Sequence, residues 1–116
     1  MKRGEVRWYE FDYPDKRRPV VILTRNSAIG YLATVTVAPI TTTIRRVPSE
    51  AFLSQEDGLQ TDCAANLHNV QTVSKAKIGA LIAVLSESKL AQIEAALLFA
   101  LGIERGFDST AQRPDL

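Results

Sequence analysis

The feature that most constrains the fold is a short apolar segment that directly follows a basic loop. Lys16, Arg17 and Arg18 precede Pro19, and the apolar residues 20–23 come immediately afterwards. This segment is rich in β-branched residues and does not alternate with polar ones, so it predicts a strand buried on both faces. Proline restricts the residue before it to an extended backbone. We therefore expect a fixed direction for the guanidinium of Arg18, whose five donors suit a phosphate.

Composition narrows the class of protein. The chain has 116 residues, 46% of them hydrophobic and 23% charged, which fits one globular domain. No apolar run reaches the roughly 20 residues that span a bilayer, and the polar N-terminus lacks a signal-peptide core, so we expect a cytoplasmic protein without membrane contact. A single cysteine, Cys63, and a single histidine, His68, predict neither a disulfide nor a metal site, and no cofactor is expected. A net charge of +1 means that any nucleic-acid binding must come from local clusters.

Six further segments have the composition of short strands, because they are rich in β-branched, aromatic or aliphatic residues and are bounded by turn residues. They cover residues 6–11, 32–40, 49–53, 64–67, 70–74 and 78–85. Pro39 lies near the end of one of them. Since proline cannot donate to a ladder, we expect an edge position or a bulge there.

One helix is predicted at residues 87–101, with Ser86 as its N-cap and Gly102 as a left-handed C-terminal residue. Its apolar stripe is expected at Leu90, Ile93, Leu97 and Leu101. Together the elements predict one mainly β domain over residues 1–103, built as a small barrel or curled sheet with a closing helix. Residues 104–116 are polar and without periodicity, and are expected to form a disordered tail.

Two basic clusters could form a binding site for an anion. The first is Lys16, Arg17 and Arg18, and the second is Arg45 and Arg46, which follow Thr41, Thr42 and Thr43. Successive reversals of an antiparallel sheet can bring such loops together, and the site could then hold a phosphodiester, with His68, Asn69 and Gln71 as further donors or as base readers. The alternative is that these are solvated charge runs. No P-loop, dinucleotide fingerprint, paired carboxylates or Ser-His-Asp order is present.

Five motifs occur in the order and spacing of the MazF/PemK family. They are RGEV at residues 3–6, RRPVV at 17–21, VAPITTTIRR at 37–46, NLHNVQTV at 66–73, and LS at 85–86 with LG at 101–102 around the predicted helix. The likeness covers roughly residues 2–103. Each motif alone is weak, but five in register resemble this family specifically.

The resemblance implies a small curled SH3-like β-barrel of the CcdB/PemK type with a C-terminal helix. It implies a homodimeric toxin of a type II toxin–antitoxin system that a cognate antitoxin neutralises by covering the active site. The implied activity is that of a metal-independent, sequence-selective endoribonuclease. It would cleave single-stranded mRNA by attack of the 2′-OH, leaving a 2′,3′-cyclic phosphate and a 5′-OH. The alternatives are a CcdB-like toxin that binds DNA gyrase and an inactive relative that binds RNA or antitoxin.

The same resemblance implies the roles of individual residues. Arg18 and Thr41 match the catalytic arginine and hydroxyl residue, which would stabilise the charge on phosphorus and bond a phosphoryl oxygen. His68 falls where some members carry an acidic catalytic residue, and it could either exchange protons or only contact RNA. The resemblance therefore does not assign the general base and the general acid. The expected RNA-binding residues are Lys16, Arg17, Thr42, Thr43, Arg45, Arg46, Asn66, Asn69 and Gln71. The loop at residues 12–18 is shorter than in many members, so cleavage specificity does not carry over.

Overall fold

The computed structural model describes residues 1–12 and 16–104, where seven strands form one antiparallel sheet. The strands are β1 (Glu5–Glu10), β2 (Arg17–Ile22), β3 (Thr34–Thr41), β4 (Glu50–Leu53), β5 (Cys63–Asn66), β6 (Gln71–Ser74) and β7 (Ile78–Val84). The helices are the short α1 (Asn26–Ile29) and the C-terminal α2 (Glu87–Leu101). No helix in the described part is long and apolar enough to cross a membrane.

The sheet is curled but not closed. Its strand order is β4-β5-β3-β2-β1-β7, with β6 also paired to β3, and among the described residues β4 and β7 do not pair with each other. The predicted mainly β fold, a small barrel or curled sheet with a C-terminal helix, is thus confirmed, and the structure adds that the sheet stays open. Helix α2 packs against β4 and the turn Leu67–Asn69 and contributes to the core, so it covers one face of the open sheet.

Strand β3 is central and changes partner along its length. Its first half pairs with β6 and its last two residues pair with β5, while β2 lies along its other side. The N–H and C=O of Thr36 both face the β2 side, so by alternation Pro39 faces the gap between β6 and β5. The missing N–H of Pro39 therefore removes no ladder bond. The expected edge position or bulge is replaced by this change of partner.

Strand β2 is buried on both faces, as predicted. Val20, Val21 and Ile22 are fully buried, and alternate residues join two different clusters. Val21 packs with Ile40, Leu53, Leu67 and Ile93 on the helix side, and Val20 and Ile22 pack with Ile29, Val35, Val37 and Val73 on the other. The residues that precede these in β2 are consequently held by a strand that cannot shift without exposing two cores.

Helix α2 begins and ends where the sequence indicates. The hydroxyl of Ser86 accepts a hydrogen bond from the N–H of Lys89 at 3.2 Å, and Gly102 has φ +73°. The predicted stripe holds for its first three members, but Leu101 is 56% exposed. At about 100° per residue, Ala100 and not Leu101 lies over Ile93, and Ala96 completes the buried face. Of the predicted tail, residues 105–116 lie outside the described residues.

Candidate functional site

A polar pocket of about 220 Å³ opens beside the ends of β2 and β3. It is lined by Arg18, Pro39, Thr41, Thr43, Arg45, Glu50, Asn66 and Asn69. Two guanidinium groups, two hydroxyls and two amides thus converge with one carboxylate. This is the chemistry of a site for an anion that also offers hydrogen-bond donors and acceptors.

The sheet register places Arg18 and Thr41 opposite each other. Strands β2 and β3 are antiparallel, with Val20 paired to Pro39, and continuing that register by two residues brings Arg18 to Thr41. Directly opposed residues of neighbouring strands have Cβ atoms roughly 4.5–5.5 Å apart and share one face. A guanidinium and a hydroxyl that lie 23 positions apart in the chain therefore meet in the polar pocket, on a strand pair fixed by the core.

Two atoms of the polar pocket are buried without a hydrogen-bond partner among the described residues. They are Nε of Arg18, a donor, and Oδ1 of Asn66, an acceptor. Leaving a buried polar group unpaired costs about 1–3 kcal/mol, and more for a charged one. Both atoms are closed to solvent, so a bound molecule could pair with them only if the side chains of Arg18 and Asn66 shift. A nucleotide carries the anionic oxygens and the donors that such a pairing needs.

Glu50 is a member of the pocket that the sequence analysis placed only within a strand. One of its carboxylate oxygens accepts hydrogen bonds from the backbone N–H groups of Arg45 at 2.9 Å and Arg46 at 3.0 Å. Arg46 has φ +58°, an uncommon conformation for a residue with a side chain. Glu50 also donates its own N–H to the carbonyl of Val47 at 3.0 Å. Glu50 thus fixes residues 45–47 of the loop at residues 42–49.

Thr41 also helps to fix the loop at residues 42–49. Its hydroxyl accepts a hydrogen bond from the N–H of Thr43 at 3.1 Å, so the chain turns immediately after β3. In the sequence, the only sign of a role for Glu50 is that an acidic residue directly follows the loop at residues 42–49. This sign becomes informative only when the pairing of Glu50 with Asn66 is known.

Several predicted RNA-binding residues lie outside the polar pocket. Arg17 points away from Arg18, as strand alternation requires, and its guanidinium stacks on the Trp8 ring at 4.1 Å. The others that do not belong to its described lining are Lys16, Thr42, Arg46 and Gln71. Arg46 instead lines a small separate pocket on the other side of Glu50. The structure therefore divides the basic clusters that the sequence suggested would act together.

His68 also lies beside the pocket and not in its described lining. Its side chain is exposed, and Nδ1 is 2.6 Å from the hydroxyl oxygen of Ser49. Its neighbours Asn66 and Asn69 do line the pocket. Proton exchange by His68 at a phosphate in the polar pocket would therefore require a rearrangement of this turn.

Cys63 packs in the core beneath this region. Burial, followed by the charges of Asp57 and Asp62, raises the pKa of its thiol to about 11. A thiol with such a pKa carries little thiolate at neutral pH, so it is a weak nucleophile. Among residues 1–12 and 16–104, no three His, Cys, Asp or Glu side chains group closely enough to hold a metal ion.

Comparison with known proteins identifies the family. The sequence matches the family described as PemK-like, MazF-like toxin of type II toxin–antitoxin system over residues 2–101. The chain belongs to this family. The five motifs that suggested the resemblance all fall within or at the edge of the matched range.

Individual relatives of this toxin agree in sequence and structure. Endoribonuclease MazF3 of Mycobacterium tuberculosis is 41% identical over 88 residues, which cover 76% of this chain and 82% of the relative. Probable endoribonuclease MazF5 of the same organism is 39% identical over 104 residues, covering 89% and 94%.

Solved structures give the same result. Mycobacterium tuberculosis toxin MazF-mt6 superposes with a TM-score of 0.79 at 32% identity, covering 86% of this chain and 98% of that one. An endoribonuclease in complex with its cognate antitoxin from mycobacterial species superposes with a TM-score of 0.81 at 26% identity, covering 90% and 97%.

Proposed function

We propose that this toxin is a sequence-selective endoribonuclease that cuts single-stranded RNA without a metal ion. The observation that carries the proposal is the meeting of Arg18 and Thr41 in a polar pocket where Nε of Arg18 is buried without a partner. The curated relatives are named endoribonucleases, which favours RNA cleavage over the binding of DNA gyrase.

In the proposed reaction the 2′-oxygen of a ribose attacks the adjacent phosphorus. The bond between phosphorus and the 5′-oxygen of the next nucleotide breaks, leaving a 2′,3′-cyclic phosphate and a 5′-OH. The 2′-OH loses its proton and the 5′-oxygen gains one, so the step is balanced without any further reactant. A substrate without a 2′-OH cannot react, which makes the enzyme selective for RNA.

The pocket residues have different roles in the proposed reaction, according to their charge and position. The guanidinium of Arg18 donates to the phosphoryl oxygens as negative charge develops on them, and the hydroxyl of Thr41 donates from the opposite strand. Arg45 supplies a second cation from the loop that Glu50 holds. Asn66 and Asn69 hydrogen-bond the ribose or base, with the buried Oδ1 of Asn66 as an acceptor for a donor of the substrate.

Two partners and a location complete the proposal. A solved relative was determined with its cognate antitoxin, so an antitoxin of this chain is expected to bind over the active site. A homodimer is supported by exposed apolar side chains at the end of α2, where Phe99 is 54% and Leu101 is 56% exposed. The toxin acts in the cytoplasm, where its mRNA substrate and antitoxin are present.

The proposal is tested with purified toxin, a mixed-sequence single-stranded RNA and excess EDTA. We expect cleavage at a limited set of sites, with cyclic phosphate at the new 3′ ends and hydroxyl at the new 5′ ends. DNA of the same sequence should stay intact. Cleavage only after Mg²⁺ is added would contradict the mechanism, and inhibition of gyrase supercoiling without RNA cleavage would support the alternative.

A further inference from the structure

A small pocket beside the polar pocket, which we call the Phe52 pocket, has no part in the proposed reaction. Its volume is about 130 Å³. It is lined by Ile44, Arg46, Val47, Glu50, Phe52 and Ala64, and Glu50 also lines the polar pocket. Phe52 is 41% exposed, so its ring can contact a bound molecule.

The strand registers place the Phe52 pocket on the same face of the sheet as the polar pocket. Thr41 pairs with Ala64 and Ala64 pairs with Phe52, so the three residues form a row across β3, β5 and β4. Directly paired residues of neighbouring strands have their side chains on one face. Glu50 precedes Phe52 by two positions in β4 and therefore shares this face. Since neighbouring strands lie about 4.8 Å apart, the backbones of Thr41 and Phe52 are about 10 Å apart.

The loop at residues 42–49 contributes side chains to both pockets and so lies between them. Arg45 lines the polar pocket, Arg46 lines the Phe52 pocket, and Glu50 sets the backbone of both arginines. An extended ligand that leaves the polar pocket towards Phe52 therefore crosses this loop. On that route it meets one cation on each side of the loop.

Cations flank the exposed ring of Phe52. Nζ of Lys89 lies 5.7 Å from the centroid of the ring and 3.8 Å from the carboxylate of Asp57, so its charge is partly balanced. Among the described residues, the guanidinium of Arg46 makes no ion pair. An exposed aromatic ring beside an unpaired cation is the combination with which proteins hold the bases and phosphates of single-stranded nucleic acids.

We propose that the Phe52 pocket is a second RNA subsite, in which the base of a nucleotide near the cleaved bond stacks on Phe52 and a phosphate contacts Arg46. The proposal rests on the ribonuclease function of the polar pocket. Every base has a π-face, so stacking on Phe52 holds the RNA without selecting a base. RNA fits this surface better than an acidic protein segment does, because the ring accepts a base and the same sheet face carries the proposed site of cleavage.

The test compares two probes of about 12 nucleotides, a length within the usual range for single-strand sites. One probe is a mixed-sequence 2′-O-methyl RNA, which the toxin cannot cut because no free 2′-OH is present. The other has the same sugar–phosphate backbone with an abasic site at every position. Fluorescence anisotropy gives the Kd of the full-length toxin for each probe, and the abasic probe reports the phosphate contacts alone.

A matched pair of variants isolates the ring. Phe52→Leu keeps an apolar side chain without the ring, and Phe52→Tyr keeps the ring. Phe52→Leu should weaken binding of the RNA probe about tenfold and leave the abasic probe unchanged, whereas Phe52→Tyr should stay within about twofold of the parent for both probes. Thermal melts check that both variants fold. An equal loss on the two probes, or an unchanged affinity of Phe52→Leu for the RNA probe, would overturn the proposal.

Arg46 tests the subsite without any change to Phe52. Arg46→Asn removes the charge, and asparagine tolerates the φ of +58° at this position. This variant should bind both probes more weakly than the parent, and the slope of log Kd against log salt concentration should fall by about 0.7, because one phosphate contact is lost. An unchanged affinity and slope would overturn the assignment of Arg46 to the subsite.

Cleavage kinetics separate the subsite from the ribonuclease function. Because Phe52 does not touch the reacting atoms, Phe52→Leu should raise the toxin concentration for half-maximal single-turnover cleavage about tenfold and keep the maximal rate. Selective binding of the RNA probe through Phe52 by a protein that cleaves no RNA would support the subsite and contradict the ribonuclease function. RNA cleavage by the parent, with parental binding by Phe52→Leu and Arg46→Asn, would overturn the subsite alone and leave the Phe52 pocket to another ligand, such as an acidic segment of the antitoxin.

Discussion

One carboxylate oxygen of Glu50 lies 2.9 Å from the backbone nitrogen of Arg45 and accepts its hydrogen bond. The same oxygen accepts the N–H of Arg46 at 3.0 Å, so a single side chain sets the backbone of both arginines. The two side chains diverge from this point: Arg45 lines the polar pocket and Arg46 lines the neighbouring one. Glu50 therefore acts as a positioning residue for the cation that faces the substrate.

Glu50→Ala should lower the single-turnover cleavage rate about tenfold to a hundredfold and destabilise the fold by about 1.5–3 kcal/mol, because two charge-assisted hydrogen bonds are lost. Glu50→Gln keeps an oxygen that can accept both N–H groups, so it should retain most of the activity. Glu56→Ala, at an exposed position outside the pocket lining, is the matched control and should behave like the parent. Equal inactivity of the Gln and Ala variants would instead show that the charge of Glu50 takes part in the reaction.

The carboxyl of Glu5 makes the free energy of unfolding depend on pH. Burial by itself would raise the pKa of this carboxyl, but the hydrogen bond from Arg7 at 2.7 Å, a backbone hydrogen bond from Lys2 and nearby positive charge outweigh burial and lower it below 4.5. A carboxyl with a lowered pKa in the folded state stabilises the fold above its unfolded pKa, and that contribution is lost as pH falls through the folded pKa.

The parent should therefore lose more stability on acidification than Glu5→Gln, whose side chain does not titrate. Thermal melts of both proteins from about pH 6 to about pH 3 measure this difference. Arg7 also donates a hydrogen bond to the carbonyl of Gly79, so the ion pair of Glu5 and Arg7 connects β1 to β7. If the melting temperatures of the two proteins fall in parallel over the whole pH range, this ion pair does not contribute to stability.

The exposed end of α2 predicts the oligomeric state. Leu98, Phe99, Leu101 and Ile103 are each at least 40% exposed, and Leu81 and Val84 of β7 add to the exposed apolar area of the chain. We expect a dimer at micromolar concentration by light scattering, and a monomer for Phe99→Glu, since burying an unpaired charge in an apolar interface is costly. Gln92→Glu adds the same charge at an exposed position earlier in α2 and should remain dimeric. A monomeric parent would contradict this prediction.

Local signals explain why parts of the fold could be predicted from the sequence. The buried strand after Pro19, the Ser86 cap and the left-handed Gly102 depend on residues within a few positions of one another. Leu101 was assigned to the buried face because two successive spacings of four were counted after Ile93, whereas the helix brings Ala100 over Ile93.

The candidate site depended on contacts that are distant in sequence. That Arg18 meets Thr41 follows from the β2–β3 register, and that Glu50 joins Asn66 follows from the β4–β5 register. Neither register is readable from one sequence, so the part of Glu50 in the polar pocket was missed. The separation of Arg17 from Arg18 could have been predicted, because consecutive strand residues point to opposite faces.

The most direct test of the central claim is single-turnover cleavage of a short RNA in EDTA by the parent, Arg18→Ala and Arg17→Ala. Loss of a preorganised donor to a transition-state charge costs about 2.7–4 kcal/mol, so Arg18→Ala should be slower by about 10²–10³ at saturating toxin. Arg17→Ala should keep the parental rate and only weaken RNA binding, since its guanidinium lies on Trp8 outside the polar pocket. An Arg18→Ala variant that folds like the parent and cleaves at the parental rate would contradict the assignment of the polar pocket as the catalytic site.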